Sequence, residues 1–498
     1  VFPMMRLSVG ALALVVQGAL LLGCSAFKPL NTQVPAQQAA ALAAQVSLPR
    51  QAQAKGDTYN WWVQFNDATL NQLMQDAWAH NNSLQIASSA LDAARALYQN
   101  AQRDRLPSTQ MSASEIRRGL PQAQTPQGSA RINTQVQAQF DSQWELDLFG
   151  RLRNQAAFAK AQASWAEADL AAVRSSISAE VAAVYVQLRS AQLQLRIAAE
   201  NRQTQAQTFD LTKAYAQVGR SDALDVARAE AQFQLTQANE QQFSAQVNTH
   251  INRLAVLTGN PMPALKEKLA AYQNLPNVPA QFDLGDTQAL IAARPDIRKA
   301  EQKARAALAN YNVQVADLYP SIQLTGGLGF VAADWNSLGN SGTDSFYFGP
   351  RLRWGAFDFG RVQARIKAAD AQSQIALRQL DETLLTALEE IDNAMVDFGQ
   401  EELRRNGLQK AQAASLQAAK AAREKFTLGV GDLSTVLDVE RSHLAVSAEY
   451  AQSEARLLLD LIRIYKSLGT GRPGNQQDAV ARSAMDEDSA RKSQVLVF

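Results

Sequence analysis

The sequence has very little of the chemistry that enzymes and metal proteins usually need. It contains one cysteine, so no disulfide can form within the chain. His80, His250 and His443 are scattered, without a second histidine or cysteine at the spacing of a zinc site. The glycine-rich stretch 326–329 lacks the lysine that follows in a phosphate-binding loop. With no nucleophile and base in a recognisable pattern, we expect no metal site, no cofactor and no catalysed reaction.

An excess of charge and long apolar runs are also missing. The net charge is +1 and charged residues are 19%, which argues against a nucleic-acid partner because such a surface needs a basic excess. Beyond the N-terminus, no apolar run approaches the roughly 20 residues that a membrane-spanning helix requires. If this protein crosses a membrane, helices do not take it across.

The one long apolar run lies at the start of the sequence. Basic Arg6 precedes LSVGALALVVQGALLLGC, which ends at Cys24 and predicts a signal peptide over 1–23. LLGC at 21–24 resembles a bacterial lipobox, which implies a palmitate-bearing Cys24 at the start of a leader over 24–66. Ser25, in place of aspartate, favours the outer membrane in bacterial lipoproteins. The alternative is a cysteine that merely sits in an apolar signal.

The rest of the chain is built twice from one unit. LFGR at 148–151 returns in FDFGR at 357–361, and the 210-residue offset between Gly150 and Gly360 also pairs Asp222 with Asp432. Upstream, an offset of 213 residues pairs stretches that end in Pro107 and Pro320. Because the two halves share one interleaved pattern, we expect one composite body.

Each repeat predicts one antiparallel β-hairpin. From 132 to 148 the even positions are mostly apolar and the odd positions are polar, and 321–331 and 346–356 alternate in the same way. A soluble sandwich would give this alternation too. The secretory start and strand lengths near the roughly 9–11 residues of a transmembrane strand favour a membrane. Since about eight strands is the smallest closed barrel, four strands predict a barrel shared between chains.

Each hairpin runs into a very long helix. From Leu152 to Val218 there is neither proline nor glycine, and at ~1.5 Å per residue this helix would be on the order of 100 Å long. Apolar residues recur every three or four positions, as in a coiled-coil seam. A return helix follows each rod, over Leu224–Leu257 and Leu433–Leu468.

The resulting domain prediction assigns most of the chain to the two repeats. The first repeat covers 67–262, with a helix, a β-hairpin over 108–149 and a helical hairpin over 151–258. The second covers 293–470, with a helix, a β-hairpin over 321–359 and a helical hairpin over 361–468. A connecting segment over 263–292 joins them, and 471–498 is expected to be a disordered tail.

These features together resemble the outer membrane factor (TolC-like) family, in particular its lipoprotein branch that serves resistance-nodulation-division efflux pumps. The resemblance rests on WWVQFNDATLNQL at 61–73, the two strand-to-helix junctions, and the turns YAQVGRSDALDVARAE at 215–230 and FTLGVGDLSTVLDVERS at 426–442. It implies an α+β membrane protein: a trimeric channel-tunnel with a shared 12-stranded barrel and a periplasmic helical cylinder. Its partners would be a periplasmic adaptor and an inner-membrane pump.

The resemblance also implies roles for two sets of residues. The helical turns at the far end of the rods would contact the adaptor through Gly219, Arg220, Gly429, Val430 and Gly431. Asp438 matches the acidic ring that narrows the periplasmic aperture, with Ser434 and Thr435 one turn earlier. The plain alternatives are turn residues without a partner and an ordinary solvated aspartate.

The predicted function is therefore an outer-membrane exit duct for drugs or other small toxic solutes. Its polar wall would include Gln137, Gln139, Arg351 and Arg353, which could equally be an ordinary solvated strand face. A type I secretion duct for polypeptides is one alternative, and a trimeric surface adhesin or structural coiled coil is another.

Overall fold

A computed structural model describes residues 52–53, 60–124, 131–279, 282–283, 291, 293–355, 358 and 360–469. The signal peptide, Cys24 and the predicted tail over 471–498 lie outside the described residues. So do most of the leader and part of the connecting segment.

The described elements include a β-hairpin and a helical hairpin in each repeat, together with further elements outside them. The strands are β1 (Ala52–Gln53), β2 (Ser108–Gly119), β3 (Ile132–Leu146), β4 (Phe282–Asp283), β5 (Ser321–Ala332) and β6 (Asp344–Arg353). The helices are α1 (Ala68–His80), α2 (Asn82–Arg103), α3 (Arg151–Gln217), α4 (Ala223–Thr258), α5 (Met262–Leu269), α6 (Pro295–Ala316), α7 (Arg361–Thr427) and α8 (Leu433–Ser467). Short 3-10 turns cover Trp61–Phe65 and Gln122–Gln124. None of the helices in the described ranges is long and apolar enough to cross a membrane.

The chain divides into two compact units rather than the one body expected from the repeat. The first unit contains the described residues of Leu91–Ala166 and Lys299–Asp381, and the second contains those of Ala36–Ala90, Glu167–Arg298 and Glu382–Phe498. Each unit draws on both repeats. The interleaving is therefore as predicted, while the number of units is not.

The first unit is built on a four-stranded sheet in the order β2-β3-β5-β6. All three pairings are antiparallel, and the two hairpins meet where β3 pairs with β5. Helices α6 and α7 contribute an apolar core in which Tyr311, Val315 and Ile366 are buried. This core packs α6, which precedes β5, against α7, which follows β6.

The second unit is helical and begins with an aromatic anchor. Trp61 is 1% exposed and stacks on Tyr465, with ring centroids 4.9 Å apart. Asp67 caps α1 by accepting from the amides of Thr69 and Leu70, and its other oxygen accepts from the Tyr185 hydroxyl at 2.6 Å. The start of the described chain is thereby fixed to both α3 and α8.

The seams predicted for the two long helices are confirmed. Every residue of both seams is buried or half-buried in the structure: Ala166, Leu170, Val173, Ile177, Val181, Val184, Leu188, Ala191 and Leu195 in α3, and Leu380, Leu384, Ala387, Ile391, Ala394 and Phe398 in α7. Helix α3 and helix α7 each span 67 residues without a break. Their length is supported by packing along the seam, since propensity alone contributes little to a helix in a folded protein.

Candidate functional site

The four-stranded sheet has two chemically different faces. On one face most of the large exposed side chains are apolar, including Phe346 at 83% and Phe348 at 79% exposure. The charged residues of this face lie toward the hairpin turns: Glu115, Arg117 and Asp344. The registers place Gln139, Gln143, Gln323 and Arg351 on the opposite face. A protein in water rarely leaves such an apolar surface uncovered, so the apolar face requires a nonpolar medium or a partner.

Each strand-to-helix junction contains a glycine and an aspartate that caps the helix. Gly150 and Gly360 have positive φ angles of 80° and 84°, a conformation that favours glycine. Asp147 accepts from the amides of Leu152 and Arg153, and Asp358 accepts from the amides of Gly360 and Val362. A carboxylate thus satisfies free N–H groups at the start of both α3 and α7, where the helix dipole favours negative charge.

The two helical tips, at 218–222 and 428–432, end their long helices in the same way. The amides of Gly219 and Arg220 donate to carbonyls three and five residues earlier, at 3.1 and 2.8 Å. The amides of Gly429 and Val430 repeat this pair at 3.0 Å each. This is the Schellman arrangement, which needs a positive φ at the first residue, and both glycines have φ of 74°.

The predicted adaptor-contacting residues lie close together. A Cβ added to Gly429 would lie 3.4 Å from Nη2 of Arg220, so the two tips are neighbours. Val430 is 76% exposed, whereas a Cβ at Gly431 would meet the backbone nitrogen of Phe426 at 3.1 Å. Arg220 and Val430 therefore form the surface of the tips, and Gly431 serves close packing within one of them.

The three residues predicted for the aperture lie on the first two turns of α8, where Ser434 and Thr435 contact the capping aspartate. Ser434 and Thr435 donate their hydroxyls to the carboxylate of Asp432 at 2.6 and 2.9 Å, and the Thr435 amide donates to it at 2.7 Å. The Ser434 hydroxyl, the Thr435 amide and the Thr435 hydroxyl lower the pKa of Asp432 to about 2. Asp438 lies further along α8 with its side chain 73% exposed, and it makes a loose ion pair of 3.6 Å with Arg441. Asp438 is the only charged residue of the three, and its carboxylate is exposed to the medium.

A buried charge next to the tips was missed at the sequence level. Glu440 is 5% exposed and accepts from Nε2 of Gln205 at 2.7 Å and from Nε of Arg423 at 3.0 Å. It therefore links α8 to both long helices. The sequence shows only that Glu440 pairs with Glu230 at the 210-residue offset. It gives no sign of which of the two glutamates is buried.

The described part of the chain offers no group of histidine, cysteine and acidic side chains that could hold a metal ion. The pKa of His250 is lowered because burial disfavours its charged form, and the pKa of His443 is lowered for the same reason, against the opposing charge of Glu440. The neutral form of both imidazoles is therefore favoured, and Nδ1 of His443 lies 2.9 Å from the hydroxyl of Ser415.

Comparisons with known proteins agree with this architecture. The family model "Outer membrane efflux protein" matches residues 73–260 and 287–470. The solvent efflux pump outer membrane protein SrpC of Pseudomonas putida is 28% identical over 414 residues, which cover 82% of this chain and 86% of that protein. The toluene efflux pump outer membrane protein TtgC of the same species is 27% identical, covering 92% of this chain and 95% of its own.

Solved structures show the same fold. The outer-membrane channel OprN is 34% identical with a TM-score of 0.80, covering 90% of this chain and 98% of that chain. The CmeC outer membrane channel of Campylobacter jejuni, at 21% identity, has a TM-score of 0.81 and covers 92% of this chain and 97% of its own. The fold class inferred from the sequence is thus that of TolC-like channels, and the chain belongs to the outer membrane efflux protein family.

Proposed function

We propose that this protein is the outer-membrane exit duct of a tripartite efflux system and passively conducts drugs, solvents or other small toxic solutes out of the cell. The observation that carries the proposal is the duplicated junction at Gly150 and Gly360, where a strand with one exposed apolar face runs into a helix of 67 residues. The relatives named for solvent and toluene efflux support this cargo class. The chain itself catalyses no reaction, and a partner supplies the energy.

The proposal includes three copies of the chain. Four strands with an apolar face leave two unpaired edges, which cannot persist in lipid because backbone groups would lose their hydrogen bonds. Three copies give twelve strands and a closed barrel. The polar face with Gln139 and Arg351 then lines the lumen, and the apolar face with Phe346 and Phe348 meets lipid.

Complementation tests the function directly. Deleting the gene should make the cells more sensitive to some members of a panel of drugs, detergents, solvents and metals, and the plasmid-borne gene should restore resistance. A type I secretion duct would instead lose an exported polypeptide without a change in drug sensitivity. An adhesin would show neither effect, and its purified form would give no single-channel current in a planar bilayer.

Asp438 is proposed as the acidic ring of the periplasmic aperture. Its exposed carboxylate on α8, repeated around a threefold axis, would favour cations and resist anions. We expect Asp438→Ala to raise the resting conductance and to reduce cation preference, whereas Asp438→Glu keeps both. Glu230→Ala, which removes an exposed carboxylate from the return helix of the other repeat, is the matched control. Unchanged conductance and selectivity in Asp438→Ala would contradict this role.

The tips are proposed to bind a periplasmic adaptor of a resistance-nodulation-division pump. Val430 and Arg220 supply an apolar and a basic contact on a rigid turn. We expect Val430→Asp to abolish co-purification with the adaptor and to lose drug resistance. Val256→Asp is the control, because Val256 is an exposed valine of α4 at 58% exposure and lies outside the tips. If both variants co-purified with the adaptor equally well, the tips would not be part of the adaptor interface.

Cys24 is proposed to carry the lipid anchor. Cells fed radiolabelled palmitate should label the wild-type protein and leave Cys24→Ala unlabelled. A single anchor adds only a tether to a protein that also inserts strands, so resistance should fall little in this variant.

A further inference from the structure

A row of residues crosses the polar face of the four-stranded sheet. The registers pair Gln110 with Asp141, Asp141 with Gly327 and Gly327 with Tyr347. Tyr347 is the one aromatic side chain on this face within the described strands. Its hydroxyl donates to Oδ1 of Asp141 at 2.8 Å, although strand β5 lies between the two residues.

Gly327 makes this contact possible. A Cβ at this position would lie 2.5 Å from Oδ1 of Asp141 and 2.5 Å from Cε1 of Tyr347. The tyrosine ring therefore occupies the space above β5 that any other residue at 327 would fill. The neighbouring rows place Gly329 beside Ser345 and Thr325 beside Gly349, so small side chains surround the ring.

The resulting pair has the chemistry of a weak cation site. One side of the ring rests over the sheet, and Tyr347 remains 44% exposed, so a π face is open to the medium. Aromatic faces attract cations, and the adjacent carboxylate supplies the opposite charge, with Oδ2 left unused by the tyrosine. The basic side chain of Arg351 lies two rows away on the same face and is close enough for its charge to act on Tyr347, so it opposes part of the attraction for a cation and keeps the site weak.

We propose that Asp141 and Tyr347, held together over Gly327, form a binding subsite for organic ammonium cations. This inference rests on the proposed function, in which the polar face lines a water-filled lumen. A hydrated inorganic cation would bind mainly through the carboxylate, whereas an organic ammonium group, which is less strongly hydrated, would also be attracted by the ring. The site is shallow and its affinity is low, which suits a duct because a conducted solute must also leave.

The test is equilibrium binding of ethidium, a flat organic cation, to the purified full-length protein in detergent at low ionic strength. Fluorescence anisotropy gives the Kd. We expect Tyr347→Ala and Asp141→Asn each to raise the Kd about two- to fivefold, the range of an exposed cation–aromatic contact. Gly327→Ala should do the same, because the added methyl displaces the ring.

Two matched controls separate the site from general dye binding. Phe346→Ala removes a more exposed ring one residue away on the opposite face, and Gly349→Ala adds a methyl to the polar face where nothing lies within 4 Å. Both should bind ethidium like the wild type, and an uncharged naphthylamine dye should bind all variants equally.

The outcomes are distinct for the subsite and for the duct. Equal Kd values for wild type, Tyr347→Ala and Asp141→Asn, or undetectable binding to the wild type, would overturn the subsite. So would an equal loss in Phe346→Ala. Ethidium binding with the expected variant pattern would support the subsite. If the same protein gave no channel current in a bilayer, the duct would be contradicted while the subsite would still be supported.

Discussion

The two repeats can be compared bond by bond. The indole Nε1 groups of Trp144 and Trp354 each donate at 3.0 Å to a backbone carbonyl, that of Arg105 in the first repeat and that of Leu318 in the second. Both long helices end on a glycine with φ of 74°, and an aspartate caps each return helix. Bonds that fix the backbone direction therefore recur in both repeats.

Side chains near the tips differ between the repeats. Glu440 is buried between helices, while its counterpart Glu230 is exposed. Asp438 stands where the first repeat has Arg228 in the same register, and the exposed residue after the tip glycine is Val430 in one repeat and Arg220 in the other. The duplicated unit thus keeps its turns and caps in both copies. The two copies differ in side chains of the second unit, where the aperture and the tips are proposed to lie.

The largest expected difference concerns Glu440. Glu440→Ala removes the acceptor of Arg423 and of Gln205, whose side chain is 2% exposed and whose Oε1 already has no hydrogen-bond partner among the described residues. Leaving these groups unpaired should lower the local opening free energy of α8 by about 3 kcal/mol. Amide hydrogen exchange, read at peptides around residues 205 and 440, measures this quantity.

Glu230→Ala provides the matched control in the other repeat. Because its side chain is exposed, opening of α4 should change by less than about 0.5 kcal/mol. If both variants exchanged equally fast, the buried link would not distinguish the repeats.

A second difference is the residue at the equivalent position further along the return helices, Asp460 in α8 and His250 in α4. Burial, helped by the neighbouring carboxylates of Asp397 and Glu401, raises the pKa of Asp460 to about 6 despite the nearby charge of Arg463. Burial also lowers the pKa of His250. In both repeats the helix interface favours the neutral form.

These shifts predict pH dependences of opposite sign. The native protein holds a proton on Asp460 that the unfolded chain releases above about pH 4, so stability falls as pH rises from about 4 to 6. Asp460→Asn should therefore gain on the order of 2 kcal/mol over wild type between pH 4 and pH 7, measured by denaturant titration in detergent. His250→Gln should show the reverse: its advantage over wild type grows as pH falls below about 6.5, where the unfolded histidine takes up a proton. Parallel pH curves for Asp460→Asn and wild type would contradict the assignment.

Periodicity and turn chemistry predicted the elements because they depend on neighbours in the sequence. The seam of α3 and the alternation of β3 were visible in this way. The division into two units was not, because it depends on contacts between distant segments of both repeats.

The candidate sites were predicted less completely, for a physical reason. The tip glycines follow from the reversal of the chain, but the engagement of Ser434 and Thr435 by Asp432 depends on rotamers that spacing does not determine. The contact of Tyr347 with Asp141 joins strands that are not neighbours and depends on the sheet register. Side chains brought together by such pairings lie beyond what local patterns can indicate.

The smallest expected difference is between the two caps at the tips. Asp432 accepts from one amide and two hydroxyls, whereas Asp222 accepts from the amide of Asp225. Asp432→Ala should therefore speed amide exchange in the first turn of α8 about fivefold, and Asp222→Ala should speed it about twofold in α4. Because the pKa of Asp432 is about 2, this cap is fully present above about pH 4 and is lost only as pH falls through 2. Exchange measured at pH 3 should thus still distinguish Asp432→Ala from wild type. If Asp432→Ala and Asp222→Ala increased the exchange rate equally, the hydroxyl contacts would add nothing to the cap at Asp432.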